Sequence, residues 1–104
     1  MKEYNLSIYK GEKFKVLSGA DFGKEVREEF KMDELDAQTD EVLFYVPDYV
    51  YSLNSSFFSG LFQKSIRALG EQKFRQKYHF KCSSIIRENI DDGIFNVLNT
   101  LNWR

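Results

Sequence analysis

Val42-Leu43-Phe44-Tyr45-Val46 is an unbroken apolar stretch in a chain of 104 residues. A continuous apolar run of this length is typical of a strand covered on both faces, so the stretch predicts the central strand of a sheet. Pro47 and Asp48 follow directly and predict its end, because proline cannot donate to a ladder and the pair favours a turn.

The chain after this strand predicts a long helix. Residues 54–56, Asn-Ser-Ser, are types preferred at helix N-caps, and one of the serines is expected to cap. Apolar side chains then recur at helical spacing up to Gly70, which is placed to end a helix over about residues 56–69.

Another strand and a final helix follow. Apolar and polar residues alternate over residues 78–82, which is the pattern of a strand. Ser83 and Ser84 then offer a cap for a helix over residues 85–100. The apolar stripe of that helix is Ile86, Ile90, Ile94, Val97, Leu98 and Leu101.

The chain before the central strand predicts a hairpin and a helix. Residues 4–9 alternate with period two, and a glycine separates them from a short stretch over residues 14–17, which indicates a β-hairpin. Apolar residues then recur at every fourth position from Phe22 to Phe30. They predict an amphipathic helix of about a dozen residues that Ser18 caps.

The order of elements is hairpin, helix, strand, helix, strand, helix, and this order predicts an α/β fold. Strands that alternate with helices indicate right-handed crossovers and at least partly parallel pairing. We expect one mixed sheet of about four to five strands with helices packed on it, in a single domain that spans residues 1–104.

Composition excludes several classes of protein. Fifteen Lys and Arg against 16 Asp and Glu give a net charge of −1, which disfavours bulk binding to nucleic acid or an anionic membrane. No apolar run approaches the roughly 18 residues of a membrane span, so we expect a cytoplasmic protein without membrane contact. Cys82 and His79 are each single, so we predict no disulfide, no metal site, no cofactor and no enzyme.

Three stretches, in this order, resemble the STAS-like domain family of bacterial and phage proteins. They are a glycine-led, arginine-containing first helix over residues 17–30, the strand that starts at Val42, and a Ser-Ser-Phe helix start that ends in Leu-Phe over residues 55–62. The likeness continues through residues 74–80 and the final helix, and it spans about residues 15–98.

The resemblance implies a small regulatory binding module and not a catalyst. STAS-like domains are similar in architecture to anti-anti-sigma factors, in which a serine before the corresponding helix is phosphorylated by an ATP-using partner kinase. The stretch that matches that motif here is Asn54-Ser55-Ser56-Phe57. The resemblance therefore implies a phospho-switch at Ser55 or Ser56, and an ATP-binding partner that is anti-sigma-like or histidine-kinase-like.

A protein-contact face is expected around the same helix start. Tyr49 and Tyr51 lie beside it, and tyrosine is enriched at interfaces because it adds large contact area at small entropic cost. With Asn54 and Phe57 they form the predicted partner-contact set. The same rings could instead pack over the sheet edge, and a homodimer is a further alternative.

Two charged stretches supply alternative functions. Residues 33–41 hold five acids and no base, which is typical of a solvated connection but also suits a phage-encoded inhibitor of a bacterial defence complex. Bases interleaved with aromatics between positions 64 and 81 suggest a small nucleic-acid-binding protein, although the same cations suit a helix end. This basic patch is Lys64, Arg67, Lys73, Arg75, Lys77 and Lys81.

Overall fold

The computed structural model describes the backbone of residues 1–102 and the side chains of residues 1–100. This part of the chain forms seven short strands and four helices. The strands are β1 (Lys2–Asn5), β2 (Ile8–Tyr9), β3 (Glu12–Lys13), β4 (Val16–Leu17), β5 (Val42–Tyr45), β6 (Ser52–Leu53) and β7 (Tyr78–Lys81). The helices are α1 (Ala20–Glu29), α2 (Met32–Ala37), α3 (Ser55–Lys77) and α4 (Ser84–Asn102). The side chain of Leu101, predicted in the apolar stripe of the last helix, lies outside the described part.

Three of the strands form one parallel sheet in the order β1-β5-β7. β5 lies in the middle and runs parallel to both neighbours, with Val42 in register with Lys2 on one side and Tyr78 on the other. The predicted central position of this strand is confirmed, as are the parallel pairing and the α/β class.

Helices cover only one face of this sheet. In β5, Val42 and Phe44 are buried, whereas Leu43 is half-buried and Tyr45 is exposed. β7 has the same alternation and ends in the exposed Lys81. The prediction that the central strand is covered on both faces is therefore wrong, because Leu43 and Tyr45 face an open side of the sheet.

The hairpin has shorter strands than predicted, Ile8–Tyr9 and Glu12–Lys13, and it lies outside the parallel sheet. β2 pairs antiparallel with β3 across Lys10 and Gly11, whose φ values of 51° and 81° match the twist of a two-residue hairpin turn. β1 ends before it because Asn5 Oδ1 accepts hydrogen bonds from Ser7 N at 2.8 Å and from Ser7 Oγ at 2.6 Å, which turns the chain. β4 pairs in parallel with β6 instead.

Helices α1 and α3 cross at two glycines. A Cβ on Gly23 would overlap the carbonyl oxygen of Phe57, and a Cβ on Gly60 would overlap the carbonyl oxygen of Ala20. Both positions therefore require glycine for the two helix backbones to approach each other this closely.

Gly70 interrupts α3 as predicted, and a second helical segment follows it. The glycine has φ 79° and ψ 166°, and the helix then resumes as far as Lys77, which places Phe74 in the core. Sequence periodicity did not predict this second segment. At the start of α4, Ser83 Oγ accepts from Ile86 N at 3.2 Å as predicted. The N-cap residue of α1 is Gly19, and the predicted side-chain cap from Ser18 is not formed.

Aromatic rings fill the space between the sheet and the helices. The ring of Phe44 lies 5.5 Å from that of Phe62 on α3 and 5.8 Å from that of Phe80 on β7. Edge-to-face and offset pairs of this kind add stability beyond the apolar area that they bury. The core thus holds α3 firmly on the sheet and fixes where its two ends lie.

Candidate functional site

Three helices begin at the carboxyl end of the parallel sheet. Because β1, β5 and β7 are parallel, the chain must return from their carboxyl ends to their amino ends, and α1 and α3 make these returns. α4 follows β7 and begins at the same end. In open parallel α/β sheets, binding sites lie beyond the carboxyl ends of the strands, so this end is the candidate site.

Most of the large apolar side chains that the described chain leaves exposed lie at this end. They belong to six residues, which we call the carboxyl-edge surface: Ile8, Val16, Tyr45, Tyr49, Tyr51 and Ile85. Tyr51 is the most exposed of them, at 65%. The other exposed large apolar residues of the described chain are Met1 and Phe95. Exposed apolar side chains that gather on one part of a protein surface often mark an interaction site.

Backbone contacts explain why these six residues share one end. Tyr45 is the last residue of β5, and Ile85 lies in the first turn of α4. Tyr51 lies in the connection after β5, and its N–H donates to the carbonyl of Lys15 at 3.0 Å, which places it beside β4. Short parallel pairing between β4 and β6 then holds this connection against the N-terminal part of the chain.

Tyr49 is the anchored member of the surface. Its hydroxyl lies 2.5 Å from Ser7 Oγ, and Ser7 is itself fully buried and bonded to Asn5. The Lys13 Nζ lies 5.9 Å from the centre of the Tyr49 ring. The ring is therefore held in one place while 37% of the residue stays exposed, which lowers the entropic cost of using it in a contact.

The start of α3 is capped by Asn54, not by a serine. Asn54 Oδ1 accepts hydrogen bonds from Ser56 N at 3.0 Å, Phe57 N at 3.2 Å and Ser56 Oγ at 2.5 Å. Ser55 and Ser56 are both exposed at this helix start. The expectation of a serine cap is wrong, because the asparagine one residue earlier already satisfies the free N–H groups.

Phe57 does not belong to the contact set. Its side chain is fully buried, and its ring lies 5.3 Å from that of Phe22 on α1. Tyr49, Tyr51 and Asn54 are exposed, as the predicted contact face requires. The prediction for Phe57 is wrong because the residue is the first core position of α3.

The predicted basic patch is not one surface. Lys77 is buried, and its Nζ donates to the backbone carbonyls of Gln38 at 2.8 Å and Asp40 at 2.7 Å. Arg75 bonds both Glu71 and Asp91, and Lys81 lies at the carboxyl end of β7. Lys64, Arg67 and Lys73 remain exposed on α3. The structure therefore does not bring the six bases together as a nucleic-acid platform would require.

A buried ionic network lies at the amino end of the sheet, and sequence reasoning did not predict it. Arg27 of α1 has a side chain only 8% exposed, and its Nη2 donates to Asp33 at 2.6 Å and to Asp36 at 2.7 Å. Its Nη1 donates to Ser65 Oγ and to the carbonyl of Leu61, both at 2.9 Å. The network ties α2 to α1 and α3.

Tyr78 and Asp33 show the electrostatic character of this network. The Tyr78 hydroxyl donates to Asp36 Oδ1 at 2.5 Å, and burial together with this carboxylate raises the pKa of the phenol well above its usual range. The hydrogen bond and charge of Arg27 lower the pKa of Asp33. Arg27 Nε is buried without a partner among the described residues. Both pKa shifts favour the form in which the group is bonded here, a protonated Tyr78 and an ionised Asp33.

A cavity of about 370 Å³ opens beside this network between α1, α2 and α3. Its lining carries bases and acids together: Lys24, Arg27, Lys31 and Lys64 with Glu28, Asp33 and Glu34. Because both signs of charge are present in similar number, the cavity selects no class of charged ligand.

The acids of residues 33–41 are largely engaged within the chain. Asp33 and Asp36 bond Arg27, and Glu41 Oε1 lies 2.6 Å from His79 Nε2. Residues 32–37 form α2, so the predicted solvated connection is in part a helix. This arrangement leaves less uncompensated acidic surface than the sequence suggested.

Cys82 follows β7 at the carboxyl end and is half-buried. Burial raises the pKa of its thiol, which keeps it in the unreactive protonated form. Among the described residues, no group of His, Cys, Asp and Glu side chains is arranged to hold a metal ion. No helix in the same part of the chain is both long and apolar enough to cross a bilayer.

Comparisons of the chain with protein-family models, with curated proteins and with solved structures find no match in any of the three. The resemblance to the STAS-like family stays a prediction. The fold and the carboxyl-edge surface therefore carry the functional argument.

Proposed function

We propose that this protein is a non-catalytic regulatory module that binds another protein through its carboxyl-edge surface. The single observation that carries the proposal is the concentration of exposed apolar side chains at one end of the sheet around the anchored Tyr49. Interface centres are rich in tyrosine, and an anchored ring loses little freedom on binding.

The STAS-like resemblance supports a specific form of this function. In that form the partner is an ATP-binding protein, anti-sigma-like or histidine-kinase-like, and the two proteins meet in the cytoplasm. Ser55 and Ser56 are exposed at the start of α3, next to the connection that carries Tyr51. A phosphate on either serine would add close to two negative charges at the rim of the contact and change its affinity.

Site-specific photo-crosslinking tests the proposal. A photoreactive residue replaces Tyr51, the modified protein is mixed with lysate of the source cell, and crosslinked proteins are identified by mass spectrometry. A matched control carries the same residue at Gln72, which is exposed on the far part of α3. We expect an ATP-binding protein that is captured at position 51 and not at position 72.

A second variant tests the switch. Ser55→Glu with Ser56→Glu introduces negative charge at the helix start, and we expect it to reduce capture at position 51 by about tenfold or more. Capture that is equal at positions 51 and 72 would contradict the proposed surface. Capture at position 51 that the double variant does not change would leave the surface in place and exclude control by these serines. Capture of a second copy of the chain would instead indicate a homodimer.

A further inference from the structure

The lysines around the carboxyl-edge surface define the chemistry of the partner, and this inference rests on the proposed function. Each tyrosine at this end of the molecule has an exposed lysine beside it. Lys13 Nζ lies 5.9 Å from the centre of the Tyr49 ring, and Lys10 Nζ lies 5.3 Å from the centre of the Tyr9 ring. Both are within range of a cation–π contact, which fixes each ammonium group beside an aromatic face.

For Tyr45 and Tyr51, strand register and a backbone hydrogen bond place a lysine nearby. Lys81 is in register with Tyr45 on the adjacent strand, and parallel register puts the two side chains on the same face of the sheet. Lys15 accepts a backbone hydrogen bond from Tyr51. Four lysines therefore lie near four tyrosines at this end of the molecule.

These lysines are uncompensated. Within residues 1–102, none of the four has a carboxylate at ion-pair distance, whereas Lys2 and Arg75 each have at least one. The four lysines are Lys10, Lys13, Lys15 and Lys81. Exposed acids also lie at this end, Glu12 between Lys10 and Lys13 in the chain and Asp48 beside Tyr49, and neither is within ion-pair distance of the four lysines.

Helix dipoles add positive potential at the same end. α1, α3 and α4 all begin here, and the N-terminus of each helix carries roughly half a positive charge. α1 has no side-chain cap at its start. The lysines and the three helix starts together make this end favourable for negative charge, in a chain whose net charge is −1.

We propose that the partner presents an acidic segment with apolar side chains, whose carboxylates lie against the four lysines and whose apolar groups pack on the carboxyl-edge surface. A nucleic acid could stack bases on the tyrosines, but it would leave Ile8, Val16 and Ile85 without apolar partners, so an acidic protein segment fits better. The inference also predicts whether phosphorylation raises or lowers the affinity for the partner. A phosphate on Ser55 or Ser56 would repel an acidic partner and weaken binding.

Nuclear magnetic resonance of the intact ¹⁵N-labelled protein tests this with three defined probes. The first is a synthetic peptide of alternating glutamate and leucine, the second replaces every glutamate by lysine, and the third is a single-stranded thymidine oligonucleotide. We expect the glutamate peptide to shift the amide signals of Tyr45, Tyr49 and Tyr51, and the lysine peptide to leave them unmoved. We expect the affinity for the glutamate peptide to fall as salt rises.

Charge-reversal variants supply the matched control. Lys13→Glu, Lys15→Glu and Lys81→Glu together should weaken glutamate-peptide binding by about tenfold or more. Lys64→Glu, Arg67→Glu and Lys73→Glu make the same change in charge on exposed positions of α3 and should leave it unchanged. Equal loss in the two variants, stronger shifts with the oligonucleotide, or no shift with the glutamate peptide would each overturn the acidic-partner inference.

The two proposals fail in different ways. One outcome is a partner that crosslinks through position 51 and is still captured when Lys13, Lys15 and Lys81 are changed to glutamate. That result would support the interaction function and contradict the acidic-partner inference. Absence of any partner specific to position 51 would instead remove the function itself.

Discussion

At the amino end of the sheet, charged groups are buried and bonded to one another, whereas at the carboxyl end apolar rings are exposed and lysines lack carboxylate partners. Arg27 has two acids and two further acceptors, and Lys77 donates to two backbone carbonyls. Tyr51, at the opposite end, is 65% exposed and contributes its backbone rather than its ring to the fold.

The difference separates what holds the molecule together from what is left for a partner. Loss of a buried arginine leaves its acidic partners without their cation in an apolar interior. An exposed tyrosine can be removed with little change in the free energy of unfolding. Substitutions at the two ends should therefore affect different measurements.

Arg27→Met should have the largest effect on the fold. It leaves the Asp36 carboxylate, whose side chain is only 10% exposed, without its cation. Removing one partner of a buried ion pair costs about 3–5 kcal/mol, and we expect a loss of that size in the free energy of unfolding measured with urea. Arg67→Met, an exposed position of α3, is the control and should change stability by less than about 0.5 kcal/mol. Similar losses in both variants would contradict a special role for the network.

Tyr78→Phe should have the next largest effect, and the effect should depend on pH. A hydrogen bond to a charged group contributes about 1.5–3 kcal/mol, so we expect a loss in that range near neutral pH. The pKa of Tyr78 is raised in the folded state, so its contribution is complete below the usual phenol value of about 10 and is lost as pH rises above it. Urea titrations at several alkaline pH values should show a shallower fall in stability for the variant than for the native protein. An unchanged alkaline slope would show that the Tyr78 phenol does not stay protonated at high pH.

Asn54→Ala should have a moderate effect on stability at the carboxyl end. It removes the acceptor for the Ser56 and Phe57 N–H groups, and loss of a helix cap costs about 1 kcal/mol. Thermal unfolding followed by circular dichroism measures it. Ser55→Ala, on the neighbouring exposed serine, is the control, and a larger loss there would mean that a serine caps the helix after all.

Tyr51→Ala should have the smallest effect on stability and a large effect on binding. We expect less than about 0.5 kcal/mol in the free energy of unfolding, because the ring is mostly in solvent. Tyr49→Ala is its comparison, and it should cost more because it leaves the buried Ser7 hydroxyl with one partner fewer. If the two variants were equally destabilised, the ring of Tyr51 would have to contribute to the core. That result would contradict the contrast between the two ends of the sheet.

Apolar spacing of period 3.6 predicted most of the helices, and a continuous apolar run predicted the central strand. Val42–Tyr45 lies in the middle of the sheet, and the break at Gly70 and the Ser83 cap are where the sequence placed them. These features are local, because each depends on the residue types at neighbouring positions. The open face of the sheet was not predicted, since a continuous apolar strand reads the same whether Leu43 and Tyr45 meet a helix or solvent.

The buried network could not be predicted from local patterns. Arg27 looks like a polar residue on the exposed side of an amphipathic helix, and Asp36 looks like one acid in a solvated run. Only the packing of α2 against α1 and α3 brings them to 2.7 Å. The same limit explains Lys77, whose carbonyl partners are nearly 40 positions away in the chain.

The candidate site was predicted in part. Tyr49, Tyr51, Ser55 and Ser56 are exposed at the carboxyl end of the sheet, where the sequence expected a contact face. Ile8, Val16, Tyr45 and Ile85 were missed, because they reach this end from four separate elements that only the parallel topology brings together. An aromatic residue near the end of the predicted central strand was the one signal in the sequence that could have indicated Tyr45.

The close crossing of α1 and α3 also restricts which substitutions a related sequence can carry. Gly23 and Gly60 lie on different helices, and neither can gain a side chain without a backbone collision. A descendant or ancestor of this chain that keeps the crossing must keep both glycines, and one that loses either must have moved its helices apart. The pair is therefore a marker, readable in any related sequence, that distinguishes shared packing from a shared order of strands and helices.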